Sequence, residues 1–276
     1  MCYPTLMVHL ELGRPNTALL RLAAGLAERF HARMIGVTVC QPMRILYNDG
    51  YVPSDIIRRD RAAIETEIKS AETEFHAALA DLPTTREWRS GVTYASLSEH
   101  LSMQACVADL VITGVDPSHS LFDTSRYVDI GDLVMRAGRP CLIVPKDIDN
   151  LPLAHAIVGW KNTTETRRAI RDALPMLRAA ARVSVVAIAM EPELAAADLN
   201  LRDVVGWLKR HGIEANAIVS PSTGEDAIRL DAIVREQQAD LLVAGAYGHS
   251  RVREWALGGV TRDLLLRAER CTLLSH

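Results

Sequence analysis

Leu241-Leu242-Val243-Ala244-Gly245-Ala246-Tyr247-Gly248 opens a stretch that runs on through His249 and ends in Gly258-Gly259-Val260-Thr261. Its first four residues are all apolar and read as a strand buried on both faces, as in a parallel sheet. The strand stops at Gly245, where the chain must change direction. Gly248 follows three residues on, and Gly258-Gly259 close the loop. After them Val260-Thr261-Arg262-Asp263-Leu264-Leu265-Leu266 has helical spacing. Two glycine clusters therefore flank a loop between a strand end and a helix start. Such a loop suits a phosphate: glycines permit close backbone approach and positive φ, and the free N–H groups and dipole of a helix start favour an anion. Thr261 adds a hydroxyl.

The same arrangement occurs earlier in the chain. Ala108-Asp109-Leu110 up to Gly114 repeats Ala239-Asp240-Leu241 up to Gly245. Gly131-Asp132-Leu133-Val134-Met135-Arg136-Ala137-Gly138-Arg139 repeats the stretch from Gly259 to Arg270, and Val8-His9-Leu10-Glu11 matches Val158-Gly159-Trp160-Lys161. Hydrophobic periodicity predicts strands over 6–10, 34–39, 87–90, 108–114 and 141–145 in the first copy. It predicts helices over 16–30, 57–79, 95–105 and 131–137, the long one facing inward through Ile57, Ile64, Ile68 and Phe75. The second copy has predicted strands over 154–160, 183–189, 215–220, 241–245 and 271–275. Its helices are predicted over 164–180, 194–211 and 226–237, with a last one opening near Thr261. Two strand–helix alternations imply an α/β fold with a doubly wound parallel sheet in each half. Ligands of such sheets sit at the carboxyl ends of the strands, and Trp160 and Gly245 are both expected there.

The spaced glycines resemble the signature of the universal stress protein family: Gly, two residues, Gly, nine residues, Gly, then Ser or Thr, then Val and Ser or Thr. Gly245, Gly248, Gly258, Val260 and Thr261 match it in spacing, while Gly259 stands where nucleotide-binding members carry Ser or Thr. The resemblance covers essentially the whole chain. It implies two tandem Rossmann-like domains of the adenine nucleotide alpha hydrolase-like kind, over 1–147 and 153–276, packed as an intramolecular pseudo-dimer, with a further homodimer possible. It also implies an adenine nucleotide, ATP or AMP, as a regulatory ligand of the second half, with magnesium arriving through the phosphates. The implied contacts are Gly245, Gly248 and Gly258 for backbone approach, Gly259 and Val260 for N–H groups, and Thr261 for a hydroxyl. Ala244 precedes them on the strand, and Trp160 and Ile188 are expected to flank the base. Lys161 stands where the family often has Asp; it either points at phosphates or is a solvated lysine.

The first half is expected to have lost this site. Pro117 replaces the second glycine, the loop over 115–130 contains Asp116 and Asp123, and Asp132 takes the place of the Ser or Thr. Two like charges ~4 Å apart cost several kcal/mol at an effective dielectric of ~20.

Composition bounds the rest. The chain has 276 residues, 49% of them hydrophobic, which is ample for a core and argues against disorder. The net charge of -3 and the scattered signs argue against nucleic acid as a partner. No apolar run is long enough for a membrane span and no signal peptide is evident, so the expected location is cytoplasmic. Cys2, Cys40, Cys106, Cys141 and Cys271 lack ligand spacing and read as small buried hydrophobes. His9, His119 and His249 read as surface or capping histidines, although His249, with Arg251, can also touch phosphates from within the loop. No Walker, GxGxxG, GxSxG or HExxH motif occurs, so no catalytic residue is named and at most a weak ATP hydrolase is expected. The alternative is a stress protein that serves as a scaffold or binds some other small molecule, favoured by Gly259 and by the degraded first half.

Overall fold

The computed structural model describes residues 2–42, 54–115, 127–246 and 269–276. The first half supplies β1 (Thr5–His9), α1 (Thr17–Phe30), β2 (Arg33–Cys40), α2 (Ser54–Ala78), β3 (Arg86–Val92), α3 (Leu97–Gln104), β4 (Leu110–Val115), α4 (Ile130–Ala137) and β5 (Cys141–Pro145). The second half supplies β6 (Ala156–Trp160), α5 (Thr164–Asp172), α6 (Leu174–Ala179), β7 (Val183–Ala189), α7 (Leu194–Arg210), β8 (Ala215–Pro221), α8 (Asp226–Glu236), β9 (Leu241–Gly245) and β10 (Cys271–Ser275).

Local chemistry accounts for these elements. α1 turns Leu19, Leu20, Leu22, Ala23, Leu26 and Ala27 inward. It stops at His31, whose φ of 51° lets the Ala32 N–H return to the Ala27 carbonyl at 2.9 Å, satisfying a carbonyl the helix end leaves free. The expected helix over 164–180 is divided. Pro175 lacks an N–H and is tolerated only in a first turn, so α5 ends at Asp172 and α6 begins at Leu174. α2 buries Ile64, Ala71 and Phe75, but Ile57 is exposed and belongs to no core face.

The strands form one ten-stranded sheet in the order β3-β2-β1-β4-β5-β10-β9-β6-β7-β8. Neighbours within each half are parallel. The halves meet through β5 and β10, which run antiparallel with Leu142 opposite Leu273. The carboxyl ends of the strands therefore point one way in the first half and the opposite way in the second. One face of the sheet carries Leu6, Val8, Val185 and Leu273, covered by Leu20 of α1 and Leu201 of α7, and the other carries Met7, Val37, Val186 and Leu274, covered by Leu133 of α4. Helices cover both faces, which is why the central strands are apolar throughout.

Cys40, Cys141 and Cys271 are buried as expected, whereas Cys2 and Cys106 are exposed. Burial pushes the Cys141 and Cys271 thiols up to about 12, which keeps them protonated. No helix among the described residues is long and apolar enough to cross a membrane.

Candidate functional site

β6 and β9 lie side by side, with Gly159 opposite Ala244, so Trp160 and Gly245 end at the same crest. The cause of the glycine at 245 differs from the expected one. Its φ is not in the left-handed region, but a Cβ there would lie 2.5 Å from the Thr166 nitrogen and 2.7 Å from the Glu165 carbonyl carbon. Gly245 is what lets the first turn of α5 rest on the strand end. That turn is capped by a neutral group: the Thr163 hydroxyl accepts from the Thr166 N–H at 3.4 Å, the usual N-cap arrangement.

Trp160 is half-buried, and its indole N–H donates to the Asn200 side-chain oxygen on α7 at 2.6 Å. It packs against the cluster that holds Ala187, its register partner. Ile188 is the next residue along β7 and packs against the cluster on the other face. Successive strand residues alternate sides, so Trp160 and Ile188 do not form two walls of one slot, contrary to the expectation. Ala244 is buried, and Lys161 is exposed just beyond Trp160. Gly248, Gly258, Gly259, Val260 and Thr261 lie outside the described residues, as do His249, Arg251, Asp116, Pro117, His119 and Asp123.

The equivalent crest of the first half is filled by its own polar groups. His9 is no surface histidine: it is 2% exposed, and its Nδ1 lies 3.1 Å from the Thr113 hydroxyl, its register partner on β4. Burial lowers its pKa to about 4, so the ring is neutral. The Thr38 hydroxyl donates to the Leu10 carbonyl at 2.8 Å. Buried Asn16 folds the β1–α1 loop onto itself, accepting from the Glu11 N–H and donating to the Glu11 and Arg14 carbonyls, all within 3.1 Å.

α3 is capped by the neutral Ser96 hydroxyl, which accepts from the Glu99 N–H at 3.1 Å, whereas the starts of α1 and α4 are held by carboxylates. Glu74 of α2 accepts from the Asn16 N–H and the Thr17 hydroxyl, each at 2.8 Å. Asp129 caps α4 by accepting from the Asp132 N–H at 3.0 Å. Asp132 itself is drawn to Arg136 at 2.6 Å. A cavity of about 670 Å³ opens nearby, and its lining includes Glu11, Arg14, Glu67 and Glu74. The resident charge is negative, and the dipoles of α1 and α4, which would attract an anion, already have one.

The sequence reading names Asp132 but not Asp129, Asn200 or Thr163, and Glu74, which it places with Glu72 on a solvated helix face, instead holds Asn16 and Thr17. Asp129-Ile130-Gly131-Asp132 before an apolar periodic run is a legible capping pattern, as is Thr163 ahead of α5. Glu74 and Asn200 act across the fold and carry no local signal. Among the described residues no group of three His, Cys, Asp or Glu is placed to hold a metal ion.

Comparison with family models finds no match, and comparison with curated proteins finds none. Solved structures do match. A universal stress protein from Archaeoglobus fulgidus DSM 4304 superposes with a TM-score of 0.74 at 13% identity, covering 98% of this chain and 95% of its own. A functionally unknown protein from Pseudomonas aeruginosa PAO1 gives 0.63 at 13% identity, covering 99% and 92%. At such identity the likeness carries the architecture: along its full length the chain has the α/β fold of a universal stress protein.

Proposed function

We propose that this chain is a tandem universal stress protein, with domains over 1–147 and 153–276 packed as a pseudo-dimer, that binds an adenine nucleotide at the crest of its second half. One observation carries the reading. The starts of α1 and α4 in the first half meet carboxylates, Glu74 and Asp129, whereas α5 at the second crest starts with the neutral cap of Thr163. A phosphate is repelled at those two starts and meets a neutral cap at α5.

In this reading Trp160 forms one wall for the base, anchored by Asn200, and Gly245 fixes the strand end against α5. The backbone from Gly248 through Gly258, Gly259 and Val260 donates N–H groups to phosphate oxygens, Thr261 adds its hydroxyl, and exposed Lys161 supplies charge. Ile188 is left out, because it faces the other side of the sheet. Magnesium would come with the phosphates of ATP. The ligand is regulatory, and any ATP turnover is slow. A cytoplasmic stress-response role belongs to the same reading.

The single-sided wall at Trp160 and the glycine at 259 favour a second reading, a stress-response scaffold without nucleotide. Calorimetry with AMP and with magnesium-ATP separates the two. Binding by the wild type, lost in Gly248→Pro and weakened in Lys161→Ala, is the expected result. No heat from the wild type, or unchanged affinity in Gly248→Pro, leaves the scaffold reading.

A further inference from the structure

The first half reaches the second crest through α5. The first turn of that helix rests on Gly245. Its last residue, Asp172, meets Ser275, the register partner of Gly245: the Ser275 hydroxyl donates to the Asp172 carboxylate at 2.9 Å. α5 therefore lies across the ends of β9 and β10 and is held at both of its own ends. The Ser275 carbonyl accepts from the Ala246 N–H at 2.9 Å, and Nδ1 of His276 lies 3.1 Å from the Ala246 carbonyl. Both main-chain groups of Ala246, two residues ahead of Gly248, are thus tied to the end of β10.

The tie continues to Tyr3. Tyr3 is 3% exposed, and its ring stands edge-on to Phe30 of α1 at 5.2 Å. Its hydroxyl donates to the Asp172 main-chain carbonyl at 2.6 Å. The last carbonyls of a helix lack partners within it, so a residue of the first half completes the end of α5. Burial, with the Asp172 and Asp109 carboxylates nearby, pushes the hydroxyl pKa up, which keeps it a donor. Arg139, two residues ahead of β5, acts with Arg168 and Arg171 to favour the charged Asp172 against the cost of its burial. Leu153 holds the matching place ahead of β6 and has no hydroxyl to offer. The contact therefore runs one way, from the first half to the second.

We propose that Tyr3 is a positioning residue of the second crest: it seats α5 and, through Asp172 and Ser275, fixes the main chain at Ala246. No side chain lies between Gly245 and the first turn of α5, so a helix that shifts at Asp172 carries the strand end with it. Loss of the Tyr3 hydroxyl frees the far end of the helix and loosens Ala246. That this seat serves a ligand rests on the nucleotide reading; the hold of Tyr3 on Ala246 does not.

Residue-resolved amide hydrogen exchange of the full chain tests this, with AMP calorimetry beside it. Tyr3→Phe keeps the ring against Phe30 and removes only the hydroxyl. It is expected to speed exchange at Ala246 about fivefold, as loss of one hydrogen bond should, while the amides of β7 keep their rates. Ser275→Ala does the same, and the double variant is no faster than Ser275→Ala alone, because both changes break one chain of contacts. Thr38→Val removes a hydroxyl bond of 2.8 Å at the first crest and leaves Ala246 unmoved, which separates positioning from a general loss of stability. AMP affinity falls severalfold in Tyr3→Phe and is unchanged in Thr38→Val. Faster exchange at Ala246 in a protein whose wild type binds no AMP upholds the role of Tyr3 and removes the nucleotide reading. Unchanged exchange at Ala246 in both Tyr3→Phe and Ser275→Ala overturns the proposal. So does exchange that quickens equally at Ala246 and throughout β7.

Discussion

The two halves repeat one topology and treat its strand ends differently. His9 faces Thr113 across β1 and β4, where Gly159 faces Ala244 across β6 and β9. Leu10 is fully buried where Trp160 stays half-open. A Cβ on Gly114 would find its nearest neighbour, a Leu19 methyl, at 4.0 Å, while one on Gly245 would collide with the backbone of α5. The first half has closed its crest with polar groups that satisfy one another, which offsets the cost of burying them. The second keeps small side chains there and draws a helix close. A duplicated sheet can thus keep every strand in place while its two crests are packed differently.

The glycine pair offers the strongest way to break that comparison. Gly245→Ala places a methyl 2.5 Å from a backbone nitrogen, and helix backbone cannot give way as a side chain can. Overpacking of this kind costs about 3 kcal/mol. Gly114→Ala meets ordinary contact distance and is expected to change stability by less than about 0.5 kcal/mol. Urea midpoints of the two variants measure the difference. Equal losses would mean that the helices sit alike on both crests.

The buried histidine gives the next largest effect. His9 is held neutral with a pKa of about 4 against an ordinary 6.5, so between those values the unfolded chain binds more protons than the folded one. Stability then rises with pH across that window. Going from pH 7 to pH 4.5 is expected to remove about 2–3 kcal/mol through this residue. Asp172, whose pKa burial raises, works in the opposite sense, so the test is a difference: His9→Gln should flatten the acid limb relative to wild type. An acid limb of unchanged slope in the variant would show that the crest of the first half is not closed by a neutral ring.

How much of this was legible beforehand follows from where each signal lives. Strands such as 141–145 and 241–245 are unbroken apolar runs between turn residues, and their bounds were readable from the letters. The α5–α6 break was readable too, in Pro175, but the apolar spacing of 164–180 masked it. The site was less legible because its decisive facts are relations across the fold. Glu74 reaches Asn16 across 58 residues of chain. His9 looks polar in isolation and becomes core only because β1 is buried on both faces and Thr113 arrives opposite it. Trp160 and Ile188 were each placed at a strand end correctly, yet their sides of the sheet depend on a register that pairs Trp160 with Ala187. Periodicity within one strand does not determine register between two.

The helix caps sharpen the comparison at the smallest scale. Asp129 and Thr163 both accept an N–H three residues on, from Asp132 and Thr166. They differ in charge. Replacing either by Ala should cost about 1 kcal/mol. Asp129→Asn keeps an accepting oxygen but removes the favourable meeting of a carboxylate with the helix dipole, so a few tenths of a kcal/mol should be lost, and less at high salt. Thr163→Asp should behave in reverse: the added charge steadies α5 and, on the nucleotide reading, repels a phosphate at the second crest. Thermal melts of the four variants at low and high salt, with AMP titrations of Thr163→Asp, check this. A Thr163→Asp protein that binds AMP as the wild type does would mean that the charge at this helix start does not separate the two halves.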